Sequence, residues 1–370
     1  MSQLLERLDR ELRLATHEVR RAEILAKKSC YLSRVGKFSE SREIIGNLRH
    51  EFGDWRSGQI MAWIMLAEGL LHLFERLSPL ALDRIKRSQA LGLAANDRVI
   101  IAVASAWKAH LEFETSNFGL MVRSLHTALA NIRDSDHDAY ARVAMVICGS
   151  FLICGDDKAA QGWFLQSRDH ALKDGDDASI EALLYNRAAF TMARLRAASC
   201  LGPIDQDQLS LVRLGIASDT NLQTLIGIGA FTNFIRLCHA RLLILEKKFE
   251  QAIEALEDVR DCGPFAEYNF SQSFVDLEIA FCLVRIGRIV EAHERFEKIQ
   301  WSSFDNFDID ERLVATWMRY VMSMESEVFG EASAAKRAVE DLGARYEEMR
   351  LNLLNSLDPF REASSRILNS

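Results

Sequence analysis

The set Phe249, Ala252, Leu256 and Val259 returns 40 residues later as Ile289, Ala292, Phe296 and Ile299, and this recurrence narrows the fold more than any other feature of the chain. The same offsets occur in "SRVGKFSESREII" as Phe38, Ser41, Ile45 and Leu48. They occur more loosely in "LICGDDKAAQGWF" as Asp157, Ala160, Phe164 and Ser167. Steps of three, four and three place all four side chains on one helix face. Two residues before the first anchor stand Gly36, Gly155, Lys247 and Gly287. Glycine there suits a chain that leaves one helix in the left-handed region before the next begins. A single helical hairpin has an apolar face too large to hide alone, so a repeated hairpin must stack on its neighbours. The small residue at 252 or 292 lets the paired helices approach, and Leu256 or Phe296 fills the seam between units.

Weaker copies fill the gaps. Ser78 lies 40 residues after Phe38, Phe118 another 40 on, and Asp157 a further 39. The next two steps, to Pro203 and Phe249, lengthen to 46, where "CLGPIDQDQ" is inserted at Cys200 to Gln208. A last pair, roughly Asp310 to Phe329 and Ser333 to Leu357, has no clear anchors. The four prolines, Pro79, Pro203, Pro264 and Pro359, all fall between helical patterns, and alternating strand patterns are missing. The expectation is an all-α chain, a right-handed α-solenoid of seven or eight hairpins. Residues 1–18 form an amino-terminal amphipathic helix, 19–330 the repeats, and 331–370 carboxy-terminal capping helices.

The turn glycine, the aromatic after it, and the small and bulky residues that follow resemble the tetratricopeptide repeat. Units near 40 residues exceed that family's usual length of about 34. They are similar to the longer, degenerate copies in the sensor domain of the bacterial maltose-regulon activator and in peptide-responsive Rap-type regulators. Rap-type regulators carry a separate amino-terminal helical bundle, and a repeat already spanning Gly36 and Phe38 leaves little room for one here. The family's two-carboxylate clamp, with Lys and Asn at set positions, has no match in this chain. The resemblance implies the fold and leaves the function open.

Composition sets bounds on partners. The net charge is −8, so no global field draws nucleic acid or an anionic membrane. Residues 1–56 carry 12 Lys/Arg against 9 Asp/Glu, a local +3 that a solvated helical surface also produces. No apolar run approaches the roughly 18 to 20 uncharged residues of a membrane span, and "MSQLLERLDRELRL" has no signal-peptide core. Seven cysteines, none in a C-x-x-C pair, read as small hydrophobes in a reduced, cytoplasmic protein.

Chemistry-bearing motifs are weak. There is no P-loop, G-x-G-x-x-G, H-E-x-x-H or G-x-S-x-G. "RDSDHD", Arg133 to Asp138, suits a helix cap at Asp134 or Asp136 better than a metal loop. "KDGDD" at Lys173 to Asp177 reads as a helix stop and a new cap. Glu68 and His72 read as a surface pair, and "HLEFE", His110 to Glu114, as groups scattered around a helix. No cofactor, metal or catalytic set is expected, and the chain reads as a non-enzyme.

A binding surface has more support. First helices of stacked hairpins line the concave face. Asn186 and Asn233 lie mid-pattern in first helices, where an amide can pair with both groups of a peptide backbone. Arg142, Arg187 and Arg241 lie on first helices and could hold carboxylates. Register from Gly287 turns Phe274, Leu277 and Phe281 towards the groove and Ile279, Ala280 and Leu283 into the core, with core packing for the first set the competing reading. Leu5, Leu8, Leu12, Ala15, Val19, Ala22 and Ala26, and again Val339, Leu342, Tyr346, Met349 and Leu353, form heptad-like seams. Such seams either cap the solenoid or join two copies as a homodimer. The leading expectation is a scaffold or adaptor holding a peptide or partner protein in the concave face. The alternative is a ligand- or peptide-responsive regulator. Neither nucleic acid nor membrane is expected as a partner.

Overall fold

A computed structural model describes residues 2–52, 57–226, 232–261 and 272–368, and every regular element in them is helical. After α1 (Gln3–Leu14), the helices pair as hairpins. These are α2 (Glu18–Arg34) with α3 (Phe38–Phe52), α4 (Gly58–Arg76) with α5 (Leu80–Ala94), α6 (Arg98–Glu114) with α7 (Phe118–Asn131), and α8 (His137–Cys154) with α9 (Asp157–Asp174). Then come α10 (Asp177–Leu201) with α11 (Gln206–Ile226), α12 (Thr232–Leu245) with α13 (Phe249–Asp261), α14 (Gln272–Arg285) with α15 (Ile289–Phe296), and α16 (Ile309–Glu325) with α17 (Ala332–Ser356). The chain closes with α18 (Asp358–Leu368). This is a TPR-like α-solenoid. The pairing of α16 with α17 carries the hairpin pattern across residue 330.

The repeat positions do what their chemistry demands. Gly36, Gly155 and Gly287 each sit at φ 81°, and Lys247 and Ser116 occupy the same left-handed turn at 60° and 54°. Ser41, Ala252 and Ala292 are fully buried where the two helices of a hairpin meet. Ser41 adds hydrogen bonds, its hydroxyl lying 2.7 Å from that of Ser29 and 2.8 Å from that of Ser33. Gly175 ends α9 at φ 68°, and Asp176 then caps α10 by accepting from the Ser179 N–H at 3.1 Å. Asp136 stands at the N-cap position of α8, but its carboxylate accepts from the Arg133 N–H at 2.9 Å.

First helices are enclosed by their neighbours on several sides, so they are apolar nearly all round. One of them, α8, is long and apolar enough to cross a membrane by length and composition, although it carries Asp138 and Arg142 and so is not an uncharged run. It is a central helix of the array, and 78% of it is buried there. Glu68 is also not the surface residue expected; it is buried on α4, paired with Arg49 and, at 3.6 Å, with Arg84. Six of the seven cysteines are free, five of them buried, and Cys262 lies outside the described residues.

The superhelix is wound tightly enough to touch itself. Arg34 on α2 reaches Asp176 at 2.7 Å, and the Leu4 N–H donates to the Gly175 carbonyl at 3.2 Å. Further on, α10 packs against α16, and α17 crosses α7 and α8. Trp163 donates its indole N–H to the Phe360 carbonyl at 3.0 Å, and Arg350 donates to the Cys154 carbonyl at 2.7 Å. These closures bury part of the heptad-like seams. Leu4 and Leu8 pack on Ile24, Tyr31 and Ala178, while Val339, Leu342 and Tyr346 pack on Ala197 and Leu313. Both α1 and α17 therefore bury apolar residues against their own chain.

Candidate functional site

Stacking gathers the first helices together, and three cavities lie between their faces. The amino-terminal chamber is lined by α2, α4, α6, α8 and the start of α10, with α1 across it. Trp63, Trp107, Arg34 and Arg142 face it, and its open volume is about 60 Å³. Arg142 is 5% exposed, and its guanidinium lies 3.8 Å from the Trp107 ring centre. Burial, and then repulsion from Arg34, lower its pKa to about 9.

A middle chamber of about 240 Å³ opens between α6, α10 and α16. Its wall is acidic, with Glu114, Asp308, Asp310 and Glu311. Glu114 is open to channel water, yet partial desolvation within the channel and then the Asp308 carboxylate lift it to about 7, against the pull of Arg142. Glu311 is raised to about 7 by burial, with Arg241 opposing. One turn before Glu114, His110 is held down to about 3 by burial and by Arg142, so its imidazole is neutral. Glu112 points elsewhere and accepts from the Ser124 hydroxyl at 2.6 Å. The "HLEFE" stretch is thus scattered only in part: His110 and Glu114 both respond to Arg142.

The carboxy-terminal groove, about 450 Å³, is the largest of the three and lies between α10, α12, α14 and α16. Phe249, Phe281, Trp317 and Val321 supply apolar surface, and Arg241 and Arg285 supply charge. Phe281 lies between Phe249, edge-on at 6.2 Å, and Trp317, tilted at 5.5 Å between ring centres. Beneath it Glu278, fully buried, accepts from Arg196 at 2.5 Å and from Arg241 at 2.9 Å. Arg241 also approaches Glu311 at 3.6 Å. Both guanidiniums lie over the Phe274 ring, at 5.4 and 5.2 Å. A carboxylate shared by two buried arginines holds their planes rigid, which suits recognition more than proton transfer.

The sequence-selected residues separate accordingly. Arg142 faces the amino-terminal chamber, and Arg241 and Phe281 face the carboxy-terminal groove. Asn186 is half-buried on α10, in helical register between Ser179 and Phe190, which line successive chambers. Asn233 belongs to α12, but its side chain lies outside the described residues. Arg187 departs from the concave face: it lies 4.7 Å over Phe164 in a side cavity of about 300 Å³ bounded by the second helices α9 and α11. Phe274 and Leu277 were expected to face the groove; both are fully buried, Phe274 against Phe304 and Phe307. Trp107, Trp317, Arg196 and Glu278 were missed. Glu278 carried a signal, as one of two acids, with Asp276, inside the otherwise apolar run "FVDLEIAFCLV". Among the described residues no cluster of His, Cys, Asp or Glu is placed to hold a metal.

No protein-family model matches the chain, and no curated protein matches it by sequence. Among solved structures it is similar to the crystal structure of a Rap protein complexed with competence and sporulation factor. The TM-score is 0.55 at 11% identity, covering 94% of this chain and 99% of that one. At that identity the likeness is one of fold.

Proposed function

We propose that this chain is a non-enzymatic, peptide-responsive regulatory protein whose interior channel takes an extended peptide. The observation that carries this reading is the carboxy-terminal groove, where Phe281, Trp317 and Arg241 from successive first helices converge on one cavity of about 450 Å³. Apolar rings would take a hydrophobic side chain while fixed guanidiniums orient the backbone or a carboxylate. The Rap protein of similar fold was solved in complex with competence and sporulation factor. A regulator is favoured over a passive scaffold because α10 and α16 close directly on each other beside the groove. A ligand that parts them favours a different superhelical pitch, so binding and conformation are linked. In this reading residues 19–330 hold the ligand, and α1 with 331–370 brace the two ends. Its free cysteines suit a reducing compartment such as the cytoplasm.

Selection from a displayed library of unstructured peptides tests the proposal. Enriched peptides should bind the full chain, change its radius of gyration in solution scattering, and lose affinity on Trp317→Ala. Enriched peptides that bind Trp317→Ala as well as the wild type, and leave the scattering curve unchanged, would reject the channel as the site.

A further inference from the structure

The amino-terminal chamber holds one cation that makes no ion pair among the described residues. Four cationic side chains line it, Arg7, Lys27, Arg34 and Arg142, against three carboxylates, Asp138, Asp174 and Asp176. The first three cations each find one acid: Arg7 with Asp174 at 2.6 Å, Lys27 with Asp138 at 3.3 Å, and Arg34 with Asp176 at 2.7 Å. Arg142 is left over. Among the described residues no carboxylate comes within ion-pair distance of it, although it is 5% exposed. Its Nη1 donates to the Met145 sulfur at 3.1 Å, which is a weak acceptor. Its plane lies on the Trp107 indole at 3.8 Å. That indole is held edge-on by Phe74 at 5.9 Å and by His110 at 5.6 Å.

A buried cation without an acid carries a desolvation penalty that a stacked ring only partly offsets. The lowered pKa of Arg142 expresses the same strain and would be relieved by an anion. With Nη1 engaged, the Nε and Nη2 edge remains, a two-donor fork that matches a planar carboxylate. The chamber's open volume of about 60 Å³ has room for a few waters or one such group.

We propose that Arg142 forms a carboxylate subsite, with Trp107 as its floor, which takes one carboxylate of the channel's ligand. That ligand is the peptide of the preceding section, and the carboxylate is either its free C-terminus or an acidic side chain. The subsite and the apolar groove have separate linings, so a ligand engaging both would lie in one direction.

Two arms separate this inference from the peptide reading. In the first, sodium acetate is titrated into the full chain and followed by the tryptophan fluorescence difference between wild type and Trp107→Phe. A saturable change is expected with acetate and not with acetamide. It should weaken at least ten-fold in Arg142→Gln and partly return in Arg142→Lys, with far-ultraviolet circular dichroism unchanged. No saturable acetate response, or an equal response in Arg142→Gln, overturns the subsite whether or not any peptide binds. In the second arm, display-selected peptides are compared as free acids, as C-terminal amides, and with each Asp or Glu changed to the amide residue. A ten-fold loss confined to the C-terminal amide identifies the terminus, and a loss confined to one side chain identifies that residue. Peptides that tolerate every such change and bind Arg142→Gln at full strength overturn the subsite while leaving the groove reading intact.

Discussion

Arg34 donates to Asp176 at 2.7 Å across 142 residues of chain, and both side chains are almost wholly sheltered from water. The pair ties the first hairpin to the turn that precedes the fifth, and so closes one turn of the superhelix over the amino-terminal chamber. Tyr31 reinforces it by donating to Asp177 at 2.6 Å.

Removing Asp176 should therefore be costly, since it both pairs Arg34 and caps α10. Asp176→Ala is expected to lose about 3–5 kcal/mol in urea denaturation. The double variant Arg34→Met with Asp176→Asn should recover more than half of that, because no buried charge is then left alone. A single variant as stable as wild type would show that the closure contributes nothing.

Ala252 is fully buried where α12 and α13 meet. Ala252→Leu should overpack this approach and cost about 1–3 kcal/mol, read as a lower thermal midpoint. An unchanged midpoint would contradict the close approach.

Glu114 has a pKa near 7 against an ordinary 4.5, with partial desolvation first and Asp308 second as causes. Between those pH values the folded chain keeps a proton that the unfolded chain has released. This contribution to stability is fully present below about pH 4.5 and is lost as the pH rises through 7. Glu114→Gln should thus be the more stable protein at pH 8 and no better at pH 4.5. The gain should stay below about 1 kcal/mol, because Glu114 is open to channel water. Denaturation curves for both proteins at the two pH values check the sign.

For ligand binding, the two faces of the array should differ. Trp317→Ala is expected to weaken a selected peptide by about 2 kcal/mol or more, as loss of an aromatic anchor does. Glu254→Ala, exposed on the second helix α13, should stay within about 0.5 kcal/mol. Calorimetric titration of both variants decides it, and equal losses would remove the distinction between faces.

The hairpin unit was legible because its signal is local. Phe249, Ala252 and Leu256 lie within one helix, and the Gly36 or Gly287 turn lies two residues from its anchor. Of the residues chosen from the sequence for the candidate site, Arg142, Arg241 and Phe281 line cavities between first helices. Phe274 and Leu277 were misplaced because a helix enclosed on several sides is apolar all round, so periodicity does not tell its groove face from its core face. Arg187 shows the same ambiguity with a charged residue, since stacking on Phe164 sheltered it on the outer side of its helix.

By itself the sequence determined an all-helical array with a forty-residue step, because offsets of three and four and a left-handed turn depend only on neighbouring residues. Tertiary structure alone decided how tightly that array winds. The deciding contacts span the chain: Arg196 to Glu278 over 82 residues, Arg34 to Asp176 over 142, and Trp163 to Phe360 over 197. A small rotation per hairpin accumulates over several units, and whether the next turn meets the last depends on that sum. No single repeat encodes it, so the chambers, the sheltered arginines and the acid shared by two of them came into view only once the whole superhelix was closed.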